Sequence, residues 1–181
     1  HVTSPPPRYT EASLVKTLEE NGVGRPSTYA STIGVIIERG YVRRAGQALI
    51  PSWQAFAVVR LLEENLASLV DYDFTATMEG YLDQIAAGER DGKELLAHFY
   101  FGGGASGEFW ARGLKDTVEG LGDIDARDLN SIQVLKGINV RVGRYGPYLE
   151  DAEGKRASVP EDLAPDELNA EKVSELFTIS A

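Results

Sequence analysis

The chain has 181 residues, 43% of them hydrophobic, with a formal net charge of −10 and no cysteine. This length allows one domain or two small ones, and the hydrophobic fraction suffices for a buried core. The absence of cysteine excludes a disulfide framework and a thiolate metal site. No stretch approaches the roughly 20 apolar residues of a membrane span, and the start lacks the apolar core of a signal peptide. We therefore expect a soluble, cytoplasmic protein.

The charge is unevenly distributed along the chain. Residues 1–60 contain seven Lys or Arg and four acids, residues 61–101 contain two and nine, and residues 102–181 contain nine and fifteen. Nucleic-acid phosphates attract basic surfaces. Any nucleic-acid contact is therefore expected mainly from the first third of the chain.

The first 40 residues predict two helices separated by a turn. A polar, proline-rich stretch at 1–8 leads to Thr10, which can cap a helix that ends at Asn21 and Gly22. A second helix is predicted from about Ser27 to Glu38, since its apolar residues recur at helical spacing.

Two short strands are predicted next, at 41–44 and 48–51, about a turn that contains Gly46. Helix, turn, helix and basic hairpin follow one another in the order of a winged-helix module. Helical periodicity then continues at 52–69, 75–87 and 93–100. Residues 1–101 are therefore predicted to form a mainly helical, winged-helix-like part.

A glycine-rich run from Gly102 to Gly107 interrupts this pattern, and we interpret residues 102–125 as a linker or lead-in to the following domain. Residues 126–181 predict a small antiparallel sheet crossed by one helix. Its strands are expected at 131–135, 139–143, after a turn at 145–149, and at 157–160, with the helix at about 169–177. The predicted fold class is α+β.

The segment GVGRPSTYAS at 22–31 is the most informative stretch of the chain. It places Arg25, Ser27 and Thr28 at the start of a predicted helix. Free backbone N–H groups, the positive end of the helix dipole, two hydroxyls and a guanidinium would together form a phosphate site. The alternative is that Ser27 or Thr28 only caps its own helix while Arg25 is solvated.

Further basic residues follow in the same module. Arg39, Arg43 and Arg44 could track a nucleic-acid backbone, or they could form a solvated charged surface. The run Gly-Arg-Tyr-Gly-Pro-Tyr at 143–148 could bind phosphate and stack a base. The alternative for this run is a tight hairpin with an aromatic cover.

No metal or catalytic constellation is evident from the sequence. His1 and His98 stand far apart with no partner at metal-ligand spacing. The carboxylates of Asp71, Asp73, Glu79 and Asp83 lack the spacing of a calcium loop, so a solvated acidic helix face is the preferred interpretation. A Ser–His–Asp set, a P-loop and a dinucleotide fingerprint are absent as well. No cofactor is expected in this segment.

Three segments resemble bacterial type IA DNA topoisomerase I, especially its actinobacterial members. The run PPPRYTEASLVKTLEENGVGRPSTYASTIGVIIERGYV at 5–42 is similar to a stretch late in the catalytic core, and DYDFTATMEGYLDQIAAGE at 71–89 to the segment that closes this core. The run VRVGRYGPYLE at 140–150 resembles a C-terminal repeat domain. The chain is thus expected to cover the end of the core and the first C-terminal repeat.

The resemblance implies an isomerase that relaxes negatively supercoiled DNA without ATP. In that family a tyrosine attacks one strand and forms a 5′-phosphotyrosyl link, and a second strand passes through the gap. Acids of a separate Toprim domain hold Mg²⁺, which is therefore expected for the full-length enzyme. The family's nucleophile motif, a tyrosine followed shortly by Met-Arg-Thr-Asp-Ser, matches none of the eight tyrosines here, and the Toprim acids are absent. Alone, the chain is expected to be an inactive fragment whose partners include the missing N-terminal topoisomerase domains.

The resemblance also implies a set of DNA contacts. In the family, the segment with the Gly-Arg-Pro-Ser-Thr motif lines the groove that leads single-stranded DNA to the active site, and the C-terminal repeat binds single strands through basic and aromatic residues. The predicted DNA-binding residues are Arg25, Ser27, Thr28, Arg39, Arg43, Arg44, Arg141, Arg144, Tyr145 and Tyr148. Such a protein would be associated with the nucleoid.

Two other classes of function remain open from the residues. One is a winged-helix regulator that reads duplex DNA through its second helix, although Ser31, Thr32 and Gly34 offer few side chains for base edges. The other is an acidic protein-interaction module, for example a surface for RNA polymerase. A preference for single strands over duplex would separate the topoisomerase hypothesis from the first alternative.

Overall fold

In the computed structural model, residues 3–104 and 108–180 are described. The elements in chain order are α1 Glu11–Glu20, α2 Tyr29–Glu38, β1 Val42–Ala45, β2 Ala48–Pro51, α3 Trp53–Asn65, α4 Ala67–Val70, α5 Tyr72–Ala86, α6 Gly92–Phe101, α7 Glu108–Glu119, α8 Ala126–Leu129, β3 Ser131–Leu135, β4 Ile138–Gly143, β5 Gly146–Asp151, β6 Arg156–Ser158, a 3₁₀ turn at Pro165–Glu167, and α9 Ala170–Ile179. The strands form an antiparallel hairpin, β1-β2, and an antiparallel sheet in the order β3-β4-β5-β6. The predicted α+β class is confirmed.

The described chain divides into two compact units. The first, here called the sheet unit, contains residues 3–14, 30–61 and 125–180, and the second, the helical unit, contains residues 15–29 and 62–124. Each unit thus combines segments that are separated in the sequence. The predicted domain boundaries at 101 and 126 stay a prediction, as does the winged-helix arrangement of the first helices and hairpin.

The core of the sheet unit lies on one face of the larger sheet. Val140 and Leu149 are directly paired between β4 and β5, and both are fully buried. Val173 and Leu176 of α9 pack in the same cluster, and so does Trp53 at the start of α3. Burying one such aliphatic side chain stabilises a fold by about 1.5–3 kcal/mol. Since side chains alternate along a strand, the neighbours of the buried residues lie on the opposite face.

The core of the helical unit is aromatic. Phe109 and Trp110 of α7 are buried together with Leu95 of α6. The ring of Phe74 lies 4.9 Å from that of Phe109 and 5.4 Å from that of Trp110, measured between centroids. Such aromatic pairs add to the stabilisation that area burial alone provides. The segment 102–125, interpreted as a linker or lead-in, therefore contains a helix that supplies core residues.

The glycines at the start of this segment permit close packing. A Cβ on Gly102 would lie 2.3 Å from the carbonyl oxygen of Ala111. The backbone N–H groups of Gly103 and Gly104 donate to the carbonyls of Ala111 and Trp110 at 3.1 and 2.8 Å. The part of the glycine run at 102–104 is therefore bonded to α7 instead of forming a free link. The continuation of the run at 105–107 lies outside the described residues.

The helices differ from the sequence prediction at three places. The helix predicted at 52–69 is interrupted at Leu66, whose φ of −137° is not helical. The carboxylate of Asp71 accepts hydrogen bonds from the N–H groups of Asp73 and Phe74, so α5 begins at Tyr72, earlier than predicted. Asp125 caps the short helix α8 in the same way, and the sequence analysis missed this helix.

Candidate nucleic-acid interface

Arg25 lies in the turn before α2, in the helical unit, and its guanidinium is bound to Asp83 of α5. Its Nη2 lies 2.7 Å from Asp83 Oδ2, and its Nε lies 3.2 and 3.4 Å from Oδ2 and Oδ1. The Nη1 group donates to the carbonyl oxygens of Gly24 and Gly22 at 2.7 and 3.4 Å. The side chain is thus held by its own chain on two sides.

The hydroxyl of Thr28 is bound within the same turn. Thr28 Oγ1 accepts a hydrogen bond from the backbone N–H of Arg25 at 3.0 Å and lies 3.0 Å from the carbonyl oxygen of Arg25. Ser27 is exposed beside it. The three residues predicted to form a phosphate site are neighbours, but the guanidinium of Arg25 is directed to Asp83. The hydrogen bonds of the Thr28 hydroxyl to Arg25 lie within the turn, and Arg25 is paired with Asp83 instead of being solvated as in the alternative interpretation.

The ion pair changes the acidity of both partners. The hydrogen bond from Arg25 lowers the pKa of the Asp83 carboxyl below its ordinary value, while desolvation opposes this shift. The hydrogen bond to Asp83 raises the pKa of Arg25, and the charge of Glu79 acts in the same direction. The negative charge of Glu79 therefore adds to that of Asp83 at this guanidinium.

In the sheet unit, several predicted DNA-binding residues line one groove. The groove has a volume of about 810 Å³, and its walls come from the β1-β2 hairpin and from the turn between β4 and β5. Its lining includes Arg43, Arg44, Arg144 and Tyr145. Residues that are about 100 positions apart in the sequence are thus brought to a common surface.

The turn between β4 and β5 presents two of these residues. Gly143 pairs with Gly146 in the sheet register, so Arg144 and Tyr145 form the two-residue loop between them. Gly146 has a φ of +112°, a conformation that favours glycine. Tyr145 is 95% exposed, and the guanidinium carbon of Arg144 lies 5.7 Å from the centroid of its ring. A solvent-facing aromatic ring with a cation beside it is suited to stacking with a nucleic-acid base.

The two arginines of the hairpin are engaged differently. Arg43 donates from Nη2 to the backbone carbonyl of Asp162, a neutral acceptor, at 2.5 Å. Arg44 forms an ion pair with Glu11 at 2.5 Å. Arg39, which follows α2, is exposed. Arg43 and Arg144 are therefore the arginines of the groove best placed to attract phosphate.

A second surface of the sheet unit surrounds Glu150. This residue of β5 is only 6% exposed. Arg141 Nε lies 2.6 Å from Glu150 Oε1, Arg156 Nε lies 2.9 Å from Oε2, and Arg127 Nη2 lies 3.7 Å from Oε1. The hydrogen bonds from Arg141 and Arg156 lower the pKa of Glu150, against the effect of burial. One buried acid thus contacts three arginines.

Tyr148 lies on the same face of the sheet. It pairs with Arg141 across the strands, and the guanidinium carbon of Arg156 lies 5.3 Å from the centroid of its ring. Arg141 and Tyr148 were predicted as DNA-binding residues, whereas Arg127, Arg156 and Glu150 were not. The alternation of buried and polar residues around the Arg144-Tyr145 turn is a signal that could have placed Glu150 beside Arg141.

Asp83 was also missed as part of this interface. It is 58 residues from Arg25 in the sequence, and neither motif nor spacing indicates that the two side chains meet.

Among residues 3–104 and 108–180, no group of three or more His, Asp or Glu side chains is arranged to hold a metal ion. None of the described helices is both long and apolar enough to cross a membrane.

Comparisons with known proteins identify relatives over nearly the whole chain. It is 56% identical to DNA topoisomerase 1 of Streptomyces coelicolor and 53% identical to DNA topoisomerase 1 of Mycolicibacterium smegmatis, with 98% of the chain covered in both cases. These alignments cover 20% and 21% of the relatives. The chain thus spans about a fifth of the length of the curated relatives it matches.

The structure and the family profiles agree with this result. The full-length topoisomerase I of Thermotoga maritima is similar with a TM-score of 0.65 and 34% identity, over 90% of this chain and 26% of that one. The profile described as topoisomerase C-terminal repeat matches residues 135–181. Because the profile described as DNA topoisomerase matches residues 1–97, more than half of the chain, the chain belongs to the DNA topoisomerase family.

Proposed function

We propose that this chain is a DNA-guiding part of a type IA topoisomerase that relaxes negatively supercoiled DNA by transient single-strand cleavage and strand passage. The groove of the sheet unit binds single-stranded DNA in this proposal. The observation that carries it is the meeting of Arg43 and Arg144 with the exposed ring of Tyr145 in one groove. Such a protein works in the cytoplasm at the nucleoid, together with the domains that provide cleavage.

The chemistry of the groove suits an unpaired strand. The two arginines attract the backbone phosphates, and each phosphate contact releases counterions, which makes binding weaker at high salt. The ring of Tyr145 can stack on a base only where that base is not enclosed in a duplex. The contact between the rings of base and tyrosine therefore favours single strands, while the arginines contribute affinity without reading the sequence.

The Glu150 surface extends this proposal. Arg156 is 63% exposed in its side chain, and it lies over the ring of Tyr148. Arg141 is 18% exposed and bound to Glu150. We assign the phosphate contact on this face to Arg156 and Arg127, and a positioning role to Arg141.

The proposed reaction needs groups beyond these residues. Strand cleavage by this family uses a nucleophilic tyrosine, and none of the eight tyrosines of this chain has the matching sequence context. Mg²⁺ supplies charge stabilisation in the complete enzyme when it is bound by the Toprim acids. The residues of this chain hold the strand and orient it, so binding is the activity to test.

Fluorescence anisotropy with labelled single-stranded and duplex oligonucleotides tests the proposal. The double variant Arg43→Ala, Arg144→Ala should weaken single-strand binding and flatten the log–log salt dependence by about 1.4, since each lost phosphate contact contributes about 0.7. The variant Tyr145→Ala should weaken single-strand binding at all salt concentrations and leave duplex binding unchanged.

The matched control is Lys93→Ala, Lys136→Ala, which removes two exposed positive charges that lie outside the groove. An equal loss of affinity in the control and the groove variant would show that only net charge matters. A preference for duplex DNA in the unmodified chain would instead favour a winged-helix regulator. Absence of DNA binding at low salt would leave a protein-interaction module, for example one for RNA polymerase.

A further inference from the structure

We propose that Asp83 is an internal competitor for DNA phosphate at Arg25: a bound strand takes the guanidinium by displacing the Asp83 carboxylate. This inference rests on the proposed function, because its ligand is the single strand. It concerns the helical unit, whereas the groove belongs to the sheet unit. Asp83 then sets how tightly the strand is held at the Gly-Arg-Pro-Ser-Thr turn.

The first argument is the use of the guanidinium donors. An arginine side chain has five N–H groups in a planar fork. The Nε–H and one hydrogen of Nη2 face Asp83, and the two hydrogens of Nη1 face the carbonyls of Gly24 and Gly22. One hydrogen of Nη2 is left outside these contacts. A phosphate cannot obtain a two-point contact with Arg25 while Asp83 stays in place.

The second argument is the local charge. Asp83 neutralises Arg25, and Glu79, one helical turn earlier on α5, adds a further negative charge near the guanidinium. The site therefore repels a phosphate as long as the pair is closed. A carboxylate and a phosphate offer oxygens with the same two-point geometry to an arginine fork. A phosphate can therefore replace the carboxylate of Asp83 with the same contact geometry at the guanidinium.

The third argument is accessibility. The side chain of Asp83 is 61% exposed and that of Arg25 is 34% exposed, so solvent reaches both partners. Exposed ion pairs are screened by water and salt and are weak. The carbonyls of Gly22 and Gly24 continue to bind Nη1 when the carboxylate leaves. Arg25 is therefore kept near its present position during the exchange.

The test compares Asp83→Asn with Asp123→Asn, a control that removes the same charge from an exposed loop position. Asp83→Asn should bind a labelled single-stranded oligonucleotide about 3- to 10-fold more tightly at low salt, with a log–log salt slope steeper by about 0.7, because the guanidinium of Arg25 becomes available for one phosphate contact. In an Arg25→Ala background the gain should disappear, and Asp123→Asn should give a smaller gain.

Several results would overturn the inference. Weaker binding by Asp83→Asn would show that Asp83 positions Arg25 instead of competing at it. An equal gain in affinity from Asp123→Asn would show that the effect comes from net charge alone. A gain that survives in the Arg25→Ala background would show that Asp83 acts on DNA binding at another residue. If the groove variants weaken binding while Arg25→Ala and Asp83→Asn do not change it, this inference fails and the proposed function stands. If none of them changes binding, the proposed function fails as well. Circular dichroism of each variant checks that it is folded.

Discussion

Glu150 in the sheet unit and Asp83 in the helical unit are both carboxylates that hold arginines, but their surroundings differ. The side chain of Glu150 is 8% exposed and contacts three arginines, whereas the side chain of Asp83 is 61% exposed and contacts one. Removing the partner of a buried charge is costly, and an exposed pair is screened by solvent. Burial therefore separates a permanent arginine–carboxylate contact from one that a phosphate can replace.

The same comparison applies to the arginines predicted to bind DNA. Arg25, Arg44 and Arg141 are each paired with an acid in the structure. Arg144 lies beside an exposed aromatic ring, and Arg43 donates to a backbone carbonyl. A count of basic residues along the sequence thus overstates the positive charge offered to a phosphate, because nearby acids compensate part of it.

The largest expected effect is that of Glu150→Gln on the stability of the sheet unit. The substitution keeps the shape of the side chain but leaves Arg141, which is 18% exposed, without its ionic partner. We expect a loss of about 1–3 kcal/mol in the free energy of unfolding. Urea denaturation followed by the fluorescence of Trp53, in a Trp110→Phe background, measures this loss in the sheet unit.

The control for this prediction is Glu153→Gln, an exposed acid in the turn after β5. The chain has two tryptophans, of which Trp53 lies in the core of the sheet unit and Trp110 in that of the helical unit. The fluorescence of each therefore reports on its own unit. Equal midpoints for Glu150→Gln, Glu153→Gln and the parent would contradict the structural role assigned to Glu150.

A smaller effect is expected in the pH dependence of stability. Arg141 and Arg156 hold the pKa of Glu150 below its ordinary value of 4.5. A carboxyl whose pKa is lowered by folding stabilises the protein above its unfolded pKa, and this contribution is lost as the pH falls through the folded pKa. The sheet unit should therefore lose stability below about pH 4.5, and Glu150→Gln should lose less over the same range. Parallel curves for the two proteins would show that other carboxyls account for the acid sensitivity.

Much of the fold could be predicted from local patterns. Short β-like runs placed β3 and β4, and the turn predicted at 145–149 placed β5, because such local patterns need no knowledge of distant contacts. Helix α7 was missed because the glycines before it suggested a flexible link. The absence of a side chain at Gly102 instead allows its backbone to approach Ala111 closely. This packing requirement depends on the tertiary structure, so the sequence alone does not indicate it.

The candidate interface was predictable only in part. The basic and aromatic residues of the groove were identified from their types and from the family resemblance. Their partners were not, because Asp83 lies 58 residues from Arg25 and Glu11 lies 33 residues from Arg44. Sequence spacing indicates which residues are neighbours on one helix or strand, whereas these pairs depend on the tertiary packing of distant segments. Whether a given arginine is available to DNA is therefore a property of the tertiary structure.

The smallest effect is expected from Asp83→Asn on the stability of the helical unit. Since the pair with Arg25 is exposed and screened, its loss should leave the urea midpoint nearly unchanged. The fluorescence of Trp110, in a Trp53→Phe background, measures this midpoint. A destabilisation as large as that caused by Glu150→Gln in the sheet unit would show that the Asp83 contact is structural. In that case a phosphate could not displace it at low cost, and the contrast between the buried and the exposed carboxylate would not hold.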